Sequence, residues 1–273
     1  MTHPHQNYLN NVFPNVPEAT RVATLDAYPD VRLDATAGFT PLADCNIVML
    51  IGLTGTGKST ALRALRQVGT LAYRTDIPTR RQLADLVLIP YAQHYAGEAI
   101  APVKDRTQRF AYTRAFREHA ADGGTAAAFT WLHFADATGR VLSEGVRGPN
   151  EIAYALANTR WRLVELWVDP VTRLRRLSHR ADAFDAITAA TTADLSFLPD
   201  SRVEEVRAAL AAGDITPEAV TTVRAESHNY GAQPYDPANT TPRYCCIRID
   251  TLTPAQVATA VVDAVHTLDA EAT

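Results

Sequence analysis

Between Gly52 and Ser59 the chain reads Gly52–Leu53–Thr54–Gly55–Thr56–Gly57–Lys58–Ser59, a Gly-x4-Gly-Lys-Ser spacing. Glycines at these positions let the backbone wrap a polyphosphate with its N–H groups pointing inward, a geometry that side chains would obstruct. The apolar run Asn46–Ile51 precedes the loop and the helix-like stretch Ala61–Leu65 follows it. The loop therefore ends at a helix start, whose unpaired N–H groups and dipole favour anionic oxygen. Lys58 is placed to reach terminal phosphates, and the Ser59 hydroxyl to ligate Mg²⁺. Of 26 basic residues only Lys58 and Lys104 are lysines, so a chain that otherwise uses arginine has put a compact cation in the loop. The chemistry is binding of a nucleoside triphosphate, expected to be ATP with Mg²⁺, by Gly55, Thr56, Gly57, Lys58, Ser59 and Thr60.

Five further groups of residues are candidates for chemistry. Asp76, after Leu71–Thr75, could accept a hydroxyl proton or hold a metal-bound water; as a plain residue it would be a turn aspartate before Ile77–Pro78. Glu144 ends the run Arg140–Glu144 and could act on Mg²⁺, or pair with Arg140 or Arg147. Arg147 could grip an anionic group bidentately, or be an ordinary surface arginine. Arg173, Arg176 and Arg180 recur at spacings of three and four, so one helical face carries all three. Toward phosphates they would neutralise developing charge; as a solvated face they would pair with Asp182 and Asp185. Lys104, Arg106, Arg109, Arg114 and Arg117 make a basic helix over 103–121, suited to an anionic acceptor or balanced by Glu98, Asp105 and Glu118.

These positions need a scaffold. Strands are expected at Asn46–Ile51, Leu71–Thr75, Arg140–Glu144, Trp161–Val168 and Tyr244–Ile249. Helices are expected at about Ser59–Val68, 103–121, Thr125–Ala137, Asn150–Ala157, from Asp169–Pro170 onward, Ser201–Ala212, Thr216–Glu226 and Pro254–Leu268. The run Leu86–Pro90 fits either type, and His228–Pro242, with its prolines, reads as loop. Such alternation implies a parallel sheet with helices on both faces, and ligands then bind outside the carboxyl ends of the strands. Residues 1–44 form an N-terminal extension, partly irregular: its first dozen are expected to be disordered, with Arg21–Leu25 and Val31–Leu33 as edge strands.

With the loop, the arginine-bearing helix and the closing strand in view, the chain resembles the kinase branch of the P-loop NTPases, the nucleoside- and nucleotide-kinase-like proteins. Besides the glycine loop, which matches their Walker A motif, Glu144–Gly145–Val146–Arg147 through Glu151 resembles a stretch of adenylate and dephospho-coenzyme A kinases. Val168–Asp169–Pro170 through Arg180 resembles the helix leading into their arginine-bearing lid, and Ile249–Asp250–Thr251 their last strand and turn. The resemblance implies a three-layer α/β sandwich over residues 45–273, built on a parallel five-stranded sheet. It also implies an acceptor-side helical insertion at 103–137 and a lid at 173–200. It makes Lys58, Asp76, Glu144, Arg176 and Arg180 the expected catalytic residues. Arg173 and Arg176 join the nucleotide contacts, and Ser59, Glu144 and Asp76 would serve the metal.

The expected function is Mg²⁺–ATP-dependent phosphoryl transfer to a small acceptor such as a nucleoside, nucleotide or related metabolite. Phosphorylation of polynucleotide 5′-hydroxyls, or a slow ATPase acting as a switch, are the alternatives. A net charge of −4 counts against nucleic acid as partner. No apolar run approaches the length of a membrane span, and the N-terminus lacks the basic-then-apolar pattern of a signal peptide. Three cysteines, two of them adjacent, cannot build a disulfide framework, so a cytoplasmic location is expected.

Overall fold

A computed structural model describes residues 3–68, 73–74, 77–135, 140–179, 194–231, 233–236 and 242–271. Four strands form a parallel sheet: β1 (Ile47–Ile51), β2 (Arg140–Glu144), β3 (Arg162–Trp167) and β4 (Tyr244–Arg248). Their spatial order is β2-β1-β3-β4. Tyr73–Arg74 pairs in parallel with Arg140 and Val141 on the outer edge of β2. The register sets Leu50 of β1 opposite Glu144 of β2, so both strands end at the same level.

β1 is apolar throughout because it is covered twice. Ile47, Met49 and Ile51 enter one core, while Val48 and Leu50 enter the other. The second core is closed by α1 (Lys58–Val68) and α7 (Pro254–Glu271). The stripe Val257, Val261 and Val265, read from the sequence, is buried there beside Ala61 and Leu65. Between these elements come α2 (Arg106–His119), α3 (Gly148–Asn158), α4 (Pro170–Ser178), α5 (Asp200–Ala212) and α6 (Pro217–Tyr230). The last three share a third, smaller core of Leu174, Val206, Val220 and Val223.

The first core holds several corrections to the sequence reading. Residues near the N-terminus are not disordered: Pro4–Asn15 is helical, and Tyr8 and Val12 are fully buried. Tyr8 donates its hydroxyl to the Leu86 carbonyl and packs at a tilt against Trp131, so an aromatic anchor, not local propensity, orders this segment. Arg21–Leu25 is helical rather than an edge strand. Val31–Arg32 does form a short strand, but in a separate antiparallel sheet with His133–Phe134 and Thr40–Pro41. The helix expected to run to Ala137 stops at Phe129 because the chain turns into that small sheet. Leu86–Pro90 lies within a helical run from Arg80 to Tyr95.

Trp161, just before β3, is fully buried and donates its indole N–H to the Leu42 carbonyl at 2.8 Å. It therefore fastens the N-terminal segment to the sheet. Trp161→Ala should cost about 3–5 kcal/mol through the cavity and the orphaned carbonyl, read as a lowered denaturant midpoint. A loss under 1 kcal/mol would show that the segment does not depend on this contact. No helix among the described residues is long and apolar enough to cross a membrane.

Candidate functional site

The glycine loop leaves the carboxyl end of β1 and enters α1. Gly52 has φ +147, and a Cβ there would lie 2.6 Å from Thr56 Oγ1 and 2.7 Å from the Leu166 carbonyl oxygen. Only glycine lets the loop start this close to β3. Within the loop Thr56 turns inward and donates to the Leu53 carbonyl at 2.9 Å. Lys58 Nζ donates to the carbonyls of Gly52 at 2.7 Å and Leu53 at 3.0 Å. Burial pulls the Lys58 ammonium down to about 7, and the nearby Arg147 adds to that; Glu144 and Glu226 act in the opposite direction. Ser59 and Thr60 are exposed at the first turn of α1. The Ser59 hydroxyl lies 3.4 Å from Glu144 Oε1. Strand register causes that meeting, because β2 ends beside the loop.

A cleft of about 630 Å³ opens over the loop. Lys58, Ser59, Glu144 and Arg176 line it, together with Arg80, Arg106, Phe110, Arg147 and Tyr230. The expected convergence at strand ends is therefore partial. Glu144 and Arg147 reach the cleft, whereas Asp169 and Asp250 do not line it. Asp169 caps α4 through the Val171 N–H, and its own N–H donates to Asp250 at 2.7 Å. Helix N-termini claim such aspartates for ordinary capping.

The arginines of α4 part company. Arg176 lines the cleft and donates to the Ile249 carbonyl at 3.2 Å. Arg173 does not share that exposure: it is 3 % exposed and lies beneath the loop, donating Nε to the Thr54 carbonyl at 2.8 Å. The third core draws the face bearing Arg173 inward. Asp76 and Arg180, with residues 180–193 of the expected lid at 173–200, lie outside the described residues. On the insertion side, α2 spans 106–119, within the expected 103–121, and presents Arg106, Arg109, Phe110 and Thr113 to the cleft. It is not merely a solvated basic face; Arg109 is tied to Asp85.

Two buried carboxylates that sequence reading missed organise these cations. Glu226 lies on α6 at the expected helix end, which the structure extends by one turn to Tyr230, and it is fully buried. It accepts from the Thr54 N–H at 3.0 Å, from the Thr54 hydroxyl, from Arg147 at 2.8 Å and from Arg173 at 2.6 Å. Arg106 stands 3.6 Å away. Burial alone would raise its pKa, but Arg147, Arg173 and the Thr54 bond together hold it down at about 2. Glu151, on α3, accepts both guanidinium arms of Arg80, at 2.6 and 2.9 Å, and the Arg147 N–H at 2.7 Å. Arg80 also donates to the Tyr230 hydroxyl at 3.1 Å. The close contact of α6 with α3 is possible because Gly148 has no side chain: a Cβ would meet the Tyr230 carbonyl at 2.7 Å. The Glu151 position had a visible sequence signal, four residues after Arg147 in a strand-end turn; Glu226 had none.

The fold and site together define an α/β protein with a parallel four-strand sheet and a glycine loop at its carboxyl edge. No protein-family model matches the chain, and no curated protein sequence matches it. Among solved structures it is similar to the unliganded crystal structure of a sugar kinase from Janibacter sp. HTCC2649. That likeness has 12% identity and TM-score 0.38 over 84% of this chain and 99% of that chain. At such a distance it bears on neither substrate nor mechanism.

Proposed function

We propose that the chain is a P-loop phosphotransferase that binds Mg²⁺–ATP at the glycine loop and transfers a phosphoryl group to a small acceptor in the adjoining cleft. The observation that carries this reading is the meeting of Lys58 and Ser59, at the start of α1, with Glu144 at the end of the neighbouring strand. Among the described residues no cluster of three His, Cys, Asp or Glu could hold a metal by itself. Mg²⁺ would rest on Ser59 and Glu144, with Asp76 assigned to it by its place in the sequence, completed by phosphate oxygens and water, as its reluctance to dehydrate favours.

The donor set fits such a group. Ser59 and Thr60 are exposed hydroxyls, and Gly55, Gly57 and Lys58 face the same cleft. When bound, Mg²⁺–ATP supplies the phosphoryl group and spreads the charge of its transfer. The protein's own part is positioning and charge. Lys58 offers a cation held in place by loop carbonyls, and Arg176 guards the loop from the α4 side. Asp76 is assigned the acceptor hydroxyl proton and Arg180 a contact to the transferred group, both by their place in the sequence. The cleft's extent beyond the loop, with Arg80, Arg106 and Phe110 in its lining, supports a transferase over a plain ATPase, because a second substrate has somewhere to bind.

The test is calorimetric titration of ATP with and without Mg²⁺, followed by ATP consumption against a panel of nucleosides, nucleotides and small metabolites. Mg²⁺-dependent affinity and stimulation by an acceptor are expected. Absence of any triphosphate affinity would end the proposal, and acceptor-independent turnover would turn it toward a switch ATPase. Glu144→Gln should raise the Mg²⁺ concentration needed for half-maximal turnover by about tenfold or more, the size seen when metal-orienting groups are removed. An unchanged Mg²⁺ requirement would free Glu144 from this role.

A further inference from the structure

A second cavity, of about 310 Å³, is lined by the N-terminal segment around Pro17–Thr24, the helical run Arg80–Tyr95 and the strap Ile100–Lys104. No residue of the glycine loop lines it, and it shares only Arg81 and Arg109 with the cleft. Helical spacing makes its space. Ala19 and Ala23 lie four apart on one side, where small side chains leave a gap, and Gln82, Asp85 and Ile89 share a face on the other. The walls are held in place around that gap. Gln93, 3 % exposed, clamps the strap by donating to the Ala101 carbonyl at 3.0 Å and accepting the Ala101 N–H at 3.1 Å. Arg109 donates to the Val103 carbonyl at 2.9 Å, and Gln82 to the Ala23 carbonyl at 3.5 Å. The strap therefore keeps its shape over the gap without filling it.

The lining is apolar at Ile89, Pro90, Ile100 and Val103, and Asp85 is its one carboxylate. Asp85 is answered by Arg109, whose guanidinium is thereby committed. Lys104, one of the two lysines in the chain, is exposed at the mouth and has no ion pair among the described residues. Its neighbour Asp105 is turned to α2, capping the helix through the Gln108 N–H at 2.8 Å. A preformed apolar cavity with one placed cation suits a ligand with an apolar body and one negative charge. Phosphate favours a free guanidinium fork, whereas a lone ammonium pairs as a point charge with a carboxylate. We propose that this cavity binds a small monocarboxylate, its aliphatic or aromatic body against Ile89, Ile100 and Val103 and its carboxylate on Lys104. The proposal is independent of the reading of the glycine loop as the donor site.

The test is titration of the full chain with phenylbutyrate, followed by NMR of the isoleucine δ1-methyl groups. Saturable ring-current shifts are expected at Ile89 and Ile100, in the cavity lining, and none at Ile249, whose Cδ1 lies beside Gly57 of the glycine loop. Lys104→Gln should weaken binding about fivefold, the size of an exposed ion pair. Phenylbutyramide, the same body without the charge, should bind the parent about as weakly. Ala23→Phe fills the cavity from an exposed position and should abolish the shifts. If that variant melts early, Lys104→Gln and the amide still decide. Absence of saturable shifts, shifts centred on Ile249, equal binding of acid and amide, or binding unchanged in Lys104→Gln each overturns the proposal, and none of them touches the donor reading.

Discussion

Lys58→Ala should lower turnover by at least about a hundredfold while leaving the protein folded, the loss expected when one preorganised charge is removed from a transferring group. The structure explains why folding survives. Lys58 is buried, and its pKa in the empty site is lowered to about 7 from the usual 10.5, with burial the largest cause. Between those values the unfolded chain holds a proton that the folded chain does not, so stability rises with pH across that window. A buried cation of this kind is a burden on the fold below neutrality, and alanine relieves it. The melting temperature of Lys58→Ala at pH 6 should therefore equal or exceed that of the parent. The same shift predicts proton uptake. At pH 8 most Lys58 side chains in the empty site are neutral, and a polyphosphate restores their charge, taking up about one proton per site. Calorimetry in buffers of different ionisation enthalpy measures it. Undiminished turnover in the variant, or uptake that persists without Lys58, would show that the ammonium does not meet the ligand.

Glu226→Gln should have the largest effect on stability. It removes a charge that answers Arg147 and Arg173 and approaches Arg106, in a site with no solvent exposure. Breaking one partner of such a buried cluster costs about 3–5 kcal/mol, because the remaining charges stay buried. For a chain of this length that is a fall in melting temperature of roughly 6–15 °C. The pH dependence has a definite sign. The folded pKa of Glu226 is lowered to about 2 from the usual 4.5. Its contribution is present above the unfolded value and is lost as pH falls from about 4.5 toward about 2; it is on the order of 3 kcal/mol at neutrality. The parent should lose stability across that acid range, and Glu226→Gln should lose much less. Parallel acid unfolding of the two proteins would show that the carboxylate is not ionised in the fold.

The variant also tests how the site is built. Thr54, in the glycine loop, is held by Glu226 through both its N–H and its hydroxyl, and by Arg173 through its carbonyl. The loop's shape thus depends on a helix far along the chain, as well as on its own glycines. Glu226→Asp, one methylene shorter, should restore part of the stability but not the register of both contacts.

The sequence by itself determined the four strands of the parallel sheet, the glycine loop between β1 and α1, and the placing of Glu144 after an apolar run. Each is written in a few neighbouring residues: a fully apolar stretch, glycines where side chains would collide, a periodic helix behind them. The β1–β2 register then carried Glu144 to Ser59 without further specification. The tertiary structure decided what short-range pattern cannot express. Thr54 and Glu226 are 172 positions apart, and a glutamate in a mixed helix reads locally as a solvated charge. The face of α4 or α6 that turns inward depends on the third core, which buried Arg173 and Glu226 together and left Arg176 at the cleft. Likewise nothing near Tyr8 foretells Trp131 and Leu86, its distant partners. Local periodicity fixes which residues lie on one side of a helix, but only docking against the rest of the chain fixes whether that side meets water or charge.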